Sequence, residues 1–221
     1  MKLRIFDGCT KLKSETKAFL ERGHEVISLG IEGDVTICCD IRQYFPHVDD
    51  QYDFMIFHPP CTEFSKSNWR LGKYKDRKPD MSIVDACFRI VNTCKPRYWI
   101  IENPQGALRH FIGKPQVTIN YGDYGHYCKK PTDLWGVFPW FWSAVPETYV
   151  KGRHNHTAFR HSGVSDPDLK ALVPYALSLA WCLAIEDAFN TSACPKSHET
   201  PDYKSDASTN GRVLRTTVLR G

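Results

Sequence analysis

Long apolar runs are missing from this chain. None approaches the roughly 20 residues a membrane helix needs, so no membrane span is expected. No signal peptide is expected either, because Met1-Lys2-Leu3-Arg4-Ile5-Phe6 reads as a strand. Paired cysteine spacing is missing as well. Nine cysteines are scattered, no C-x-x-C occurs, and Cys38 and Cys39, adjacent on a strand-like run, point to opposite faces. That pattern argues against a disulfide framework and for reduced thiols inside a cell. It also leaves no metal site expected, since His154-Asn155-His156 has no thiol partner. A strong excess of one charge is absent too. A net charge of +4 and a pI near 8.5 permit a nucleic-acid partner without requiring one. With 221 residues, 42% of them hydrophobic, and a mean hydropathy of −0.42, the chain is expected to be one soluble domain with a substantial core.

What is present centres on Phe57-His58-Pro59-Pro60-Cys61-Thr62-Glu63-Phe64-Ser65. It follows a strand-like run, Tyr52 to Phe57, which puts Cys61 just past a strand's carboxyl end, where open α/β sheets hold their ligands. Two prolines fix their own φ and bias the preceding residues to extended geometry, so the thiol is held where it is aimed. A Pro-Pro turn beside an incidental buried cysteine would read the same way. A second run, Arg97 to Ile101, is closed by Glu102-Asn103-Pro104. An acid directly after a buried strand is partly desolvated, which raises its pKa and suits it to donate a proton. A thiol nucleophile and a carboxylic acid at the same sheet edge form a pair with a definite chemistry.

With these two stretches the chain resembles the DNA (cytosine-5) methyltransferase family, as a small phage-type member without a large target-recognition domain. Pro59, Pro60, Cys61 and Ser65 match its P-P-C-x-x-x-S loop, and Glu102 and Asn103 match its E-N-V motif, with Pro104 in place of Val. The resemblance implies an α/β, Rossmann-like methyltransferase fold with a mostly parallel, doubly wound sheet and helices on both faces. It implies methyl transfer from S-adenosyl-L-methionine to C5 of cytosine in DNA, through a covalent bond from Cys61 to C6, with Glu102 acting at N3.

The chain opens with a β-α-β pattern. Lys2 to Phe6 and His24 to Leu29 are the strands, with a helix from about Glu15 to Arg22 that Ser14 can cap and Gly23 ends. Such units bind a cofactor at the first turn. The resemblance places the methyl donor there, with Phe6 and Gly8 matching an F-x-G-x-G loop and Thr10, Glu32, Asp40, Ile41 and Pro59 completing the expected contacts. The match is incomplete: the second glycine is missing, and the acid that usually ends the second strand falls at Gly30, leaving Glu32 as its candidate replacement.

Lys66, Arg70, Lys73, Lys75, Arg77 and Lys78, interleaved with Trp69 and Tyr74, follow the nucleophile where a polyanion would lie. Ser65, Lys66, Arg70, Asn103, Lys130 and Thr132 are the expected substrate contacts. Lys130 and Thr132 stand, with Cys128, at the positions of the family's Q-x-R-x-R motif, and Thr132 loses the charge of the arginine it replaces. Phe138 to Trp142 is an aromatic cluster expected in the core. Met81 to Cys94 and Leu169 to Asn190 carry helical spacing, the second being the candidate for the family's closing helix beside the cofactor strand.

The domain expectation is therefore a catalytic unit over 1–190, with a minimal recognition insert at about 139–168, and a disordered tail over 191–221. The expected partner is cytosine-containing DNA, the chain acting as a monomer in the cytoplasm, that of a bacterial host if it is phage-encoded. Three other readings stay open: the same C5 chemistry on RNA, the same chemistry on a free nucleotide or with another one-carbon donor, and a non-catalytic nucleic-acid-binding relative.

Overall fold

The computed structural model describes residues 1–66, 78–126, 129–141 and 171–191. Seven strands form one sheet: β1 (Arg4–Gly8), β2 (Glu25–Gly30), β3 (Ile37–Cys38), β4 (Phe54–Phe57), β5 (Tyr98–Pro104), β6 (Val117–Asn120) and β7 (Pro131–Val137). Their spatial order is β3-β2-β1-β4-β5-β7-β6. Strands β1 to β5 pair in parallel, and β7 runs antiparallel between β5 and β6. Among the described residues three α-helices accompany them: α1 (Lys17–Glu21), α2 (Ser82–Cys94) and α3 (Tyr175–Asn190). This is the expected Rossmann-like, doubly wound α/β fold.

Strand parity builds the two cores. Sheets covered on both sides have near-continuous apolar strands, and successive side chains alternate between faces. Ile5, Phe54, Ile56, Tyr98 and Ile100 enter one layer, with Phe19 of α1 and Leu177, Trp181 and Ile185 of α3. Phe6, Met55, Phe57, Trp99 and Ile101 enter the other, with Val84, Cys87, Ile90 and Val91 of α2. The last helix therefore packs where the resemblance places it, against α1 and the face of β1. It begins at Tyr175, after Pro174, rather than at Leu169, because proline's fixed φ and missing N–H suit the helix entrance.

Ser14 does not cap α1. Its hydroxyl donates to Glu15 Oε2 and accepts from the Val173 N–H. The first-turn N–H of Ala18 is satisfied across the fold by Ser178 Oγ of α3. In the aromatic cluster Phe141 is buried, whereas Trp140 is 63% exposed and so lies outside the core. The proposed insert at 139–168 beyond residue 141 and the tail beyond Thr191 lie outside the described residues. So do Arg70, Trp69, Tyr74 and Cys128. No described helix is long and apolar enough to cross a membrane, and the seven cysteines among the described residues are free.

Candidate active site

Parity also assembles the site. Asp7 stands two residues after Ile5, His58 two after Ile56 and Glu102 two after Ile100, so all three leave the sheet on the α1/α3 face. Their strands, β1, β4 and β5, are neighbours, and Phe57 pairs with Ile101 in register, which sets His58 beside Glu102. The His58 N–H continues the ladder to the Gly8 carbonyl at 3.0 Å. Side by side at the carboxyl edge of the sheet stand two acids and an imidazole.

The two motifs then lock together. Asn103 Nδ2 donates to the Pro59 carbonyl at 2.8 Å in a buried contact, and the Ala107 N–H donates to the Phe64 carbonyl, also at 2.8 Å. The prolines lead into a short turn, Cys61–Glu63, that starts on the candidate thiol. Cys61 and Glu102 line one cavity of about 330 Å³, together with Pro59, Pro60, His58, Glu15 and Lys130 and part of the 9–14 loop. Asn103, expected as a substrate contact, is 1% exposed and serves as the tether between motifs.

Glu102 is buried, with His58 Nδ1 at 2.9 Å from Oε2 and the Tyr121 hydroxyl donating to Oε1 at 3.0 Å. Burial pushes its pKa up. The hydrogen bond and charge of His58, the charge of Lys130 and the Tyr121 bond outweigh that and hold the carboxyl below its ordinary value. The expectation of a raised pKa is thereby corrected: the apolar strand was legible, but the donors gathered from β4 and the Tyr121 turn were not. Burial pulls His58 down, but the charges of Glu15, Glu102 and Asp7 and the Glu102 bond raise it to about 9. Burial and the nearby Glu102 raise the Cys61 thiol, with Lys130 opposing them. Lys130 Nζ sits 4.5 Å over the Tyr121 ring. Lys66, expected as a substrate contact, donates to Gln105 Oε1 at 2.6 Å.

On the donor side the expected contacts are dispersed. Phe6 is fully buried, stacked on Tyr44 with ring centres 5.7 Å apart. Thr10 donates its N–H to the Leu29 carbonyl, and its Oγ1 accepts from the Lys13 N–H. Glu32 pairs with Lys11 at 3.0 Å on the surface. Asp40 caps the Ile41–Gln43 turn and pairs with Arg42, whose hydrogen bonds hold its carboxyl at about 2. Ile41 is buried below it. None of these five lines the cavity. Gly8 ends β1, where a Cβ would come within 2.5 Å of the Phe57 ring. The missing acid has a steric cause: a Cβ on Gly30 would lie 2.0 Å from the Thr10 carbonyl oxygen. The 9–13 loop occupies the space an acidic side chain would need.

Of the substrate contacts expected, Lys130 reaches the cavity. Thr132 is fully buried in β7, donating to the Lys130 carbonyl, and the half-buried Ser65 stands outside the lining. Residue patterning missed Asp7, Glu15, His58 and Tyr121. Counting by two along β1, β4 and β5 would have placed the first, third and Glu102 on one face. Glu15 and Tyr121 arrive from turns with no such period. Asp7 is fully buried: Oδ2 accepts from Thr16 at 2.6 Å, and Oδ1 has no partner among the described residues. Asp7, Glu15 and His58 bring one polar atom each within 4.8 Å of one another, as do His24, Cys182 and Glu186. The latter group is closed by internal bonds, since His24 Nδ1 accepts from the Leu3 N–H and Glu186 binds Arg22 through both oxygens.

Known proteins share this sequence in part. The family described as C-5 cytosine-specific DNA methylase matches residues 22–120, which include both motifs. Type II methyltransferase M.SacI of Streptomyces achromogenes is 45% identical over 126 residues, covering 52% of this chain and 31% of the relative. Type II methyltransferase M2.ScrFI of Lactococcus lactis subsp. cremoris is 25% identical over 100 residues, 44% of this chain and 26% of that protein. The chain thus spans less than a third of either relative's length. A solved structure described as a DNA modification methyltransferase encoded within an E. coli prophage aligns with 60% of this chain and 45% of its own, at 14% identity and a TM-score of 0.44.

Proposed function

We propose that this chain, which matches the C-5 cytosine-specific DNA methylase family over residues 22–120, is a member of that family and methylates C5 of cytosine in DNA, with S-adenosyl-L-methionine as donor and a covalent bond from Cys61 to the base. The observation that carries the reading is the shared cavity: Cys61 and Glu102, from motifs more than forty residues apart in sequence, line the same wall-to-wall space. The cytoplasm, of a bacterial host if the chain is phage-encoded, is the proposed setting.

Cytosine in a duplex must leave the stack to enter such a cavity, at a cost of a few kcal/mol. The Cys61 thiolate adds to C6, and the C5–C6 π electrons move into the ring toward N3. Glu102 stabilises that charge by a hydrogen bond or a proton at N3, which leaves C5 nucleophilic enough to take the donor's methyl group, the sulfur–methyl bond breaking to leave a neutral thioether. Elimination then removes the C5 proton to a water, reforms the double bond and frees Cys61. Lys130 opposes burial in setting the thiol's proton affinity, and Asn103 keeps Pro59, and so Cys61, in register with β5.

The donor supplies a methyl group carried on a cationic sulfonium. A cation fits beside the acids that line the cavity, Glu102 and Glu15, the latter 7% exposed on its side chain. The 9–14 loop and Glu15 would hold the donor's reacting end. The ribose grip of the family has no counterpart at Gly30. The family's partner polymer motivates DNA; the basic run from Lys66 to Lys78 supports it by charge.

The test is direct. The full chain is incubated with labelled S-adenosylmethionine and random-sequence duplex DNA, RNA or dCMP, and 5-methylcytosine is read by mass spectrometry. Labelled 5-methylcytosine in the duplex, abolished by Cys61→Ser, is expected. Product from RNA or dCMP alone would transfer the chemistry to those substrates, and an active Cys61→Ser would remove the covalent role.

A further inference from the structure

His58 has no assigned part in this chemistry, yet it is the side chain in closest contact with Glu102. Its two ring nitrogens both face carboxylates: Nδ1 lies 2.9 Å from Glu102 Oε2, and Nε2 lies 3.7 Å from Glu15 Oε1. An imidazole whose two nitrogens both look at carboxylate oxygens is most stable with a proton on each, as a cation. Asp7, fully buried and on the same face, adds a third carboxyl group, which burial and the charge of Glu15 hold well above its ordinary pKa. A neutral tautomer would set a lone pair against one of these acids.

Glu102 meets the opposite difficulty. Held by two donors and near Lys130, it rests as a carboxylate. A bare carboxylate at N3 would oppose the negative charge that thiolate addition puts into the ring. A proton must be at hand, and Nδ1–H is one hydrogen bond away. Each Glu102 oxygen keeps a further acceptor position beyond those taken by His58 and Tyr121.

We propose that His58 is the positioning residue that orients Glu102 and lends it the proton it presents to the base. As S–C6 forms and the ring electrons move to N3, the His58 Nδ1 proton passes to Glu102 and Glu102 passes a proton on to N3, leaving a carboxylate and a neutral imidazole. When C5 loses its proton and the S–C6 bond breaks, N3 returns its proton through Glu102 to His58. One proton is lent and restored in each turnover, with no outside reagent. This rests on the cytosine-C5 reading above. The titratable and charged groups that face His58 are Asp7 from β1, with Lys13 near it, Glu15 ahead of α1, Glu102 and its neighbours Tyr121 and Lys130, and Cys61 on the cavity wall.

The experiment is single-turnover methyl transfer against pH for the full chain and two variants. In the wild type the rate rises with pH as Cys61 ionises and stops rising near pH 9, where the imidazolium is lost. His58→Asn keeps a donor toward Glu102 but carries no exchangeable charge. It should slow the reaction by about 10²-fold, leave the KM for DNA nearly unchanged, and let the rise continue past the wild-type plateau. Glu15→Gln leaves His58 in place and removes a carboxylate facing it, so its plateau should begin at lower pH; this variant decides the matter if His58→Asn does not fold. A His58→Asn rate within threefold of wild type, or a Glu15→Gln plateau that does not move, overturns the proposal. A wild type that makes no 5-methylcytosine instead sinks the parent reading, so the two failures are distinguishable.

Discussion

The two sides of the cavity were built under different constraints. The base side is over-determined: β4 and β5 pair in register, Asn103 clamps Pro59, and Ala107 clamps Phe64. The side proposed to hold the donor keeps together by turning its expected contacts on one another. Thr10, Lys13, Asp34, Lys11 and Glu32 tie the 9–13 loop down onto the end of β2, and Gly30 yields the room. A rigid thiol and carboxyl thus face a loop whose polar groups are already partnered. Specific chemistry needs reacting groups held to within a fraction of an ångström. Donor binding can draw on several substitutable contacts, so motif departures gather there.

The largest test of this contrast is Asn103→Ala. It orphans a buried carbonyl, costing about 1–3 kcal/mol, and loosens Cys61, so methyl transfer should fall about a hundredfold while donor affinity holds. Equal losses of donor binding would mean the two sides are one unit. Next is the pH dependence. A thiol held above its ordinary value by burial and by Glu102 is mostly protonated at neutral pH. Its thiolate fraction, and the single-turnover rate, should rise about tenfold per unit between about pH 7 and 8.5. A flat profile there would show the thiol already ionised, with Lys130 winning over burial.

Gly30→Asp restores the family's acid and should still weaken the protein by about 1–3 kcal/mol, seen as a lower melting temperature, because its Cβ meets the Thr10 carbonyl oxygen at 2.0 Å. A variant with undiminished stability and tighter donor binding would show that the loop moves aside. Smallest of all is Glu32→Ala. Its side chain is 62% exposed and paired on the surface with Lys11, so stability should change by under about 0.5 kcal/mol and donor affinity barely. A large loss of donor affinity would make Glu32 the ribose contact after all.

Much of the fold could be read from the chain because its strands are buried on both faces and announce themselves as apolar runs. Phe54 to Phe57 and Tyr98 to Ile101 are legible for that reason, and so is the position of Cys61 and Glu102 at their ends. The reversed β7 was harder. Its Pro131-Thr132-Asp133 start reads as a turn, and Asp133 is tolerated in the sheet only because Arg109 and Thr118 satisfy it. The charge state of Glu102 was not legible at all, since it depends on His58 and Tyr121 meeting it from other parts of the chain. Nor was Gly30, whose meaning appears only once the loop above it is placed.

The proposed reaction turns on a bond between one sulfur and one ring carbon, and that bond can be weighed. A random-sequence duplex carrying 5-fluorocytosine, incubated with the chain and S-adenosylmethionine, cannot shed fluorine as a cation, so the elimination that frees Cys61 is blocked. Mass spectrometry should find protein joined to DNA plus one methyl group, with the linkage on the peptide containing Cys61 and absent in Cys61→Ser. Methylated cytosine in an ordinary duplex with no such adduct, or an adduct on another cysteine, would contradict it.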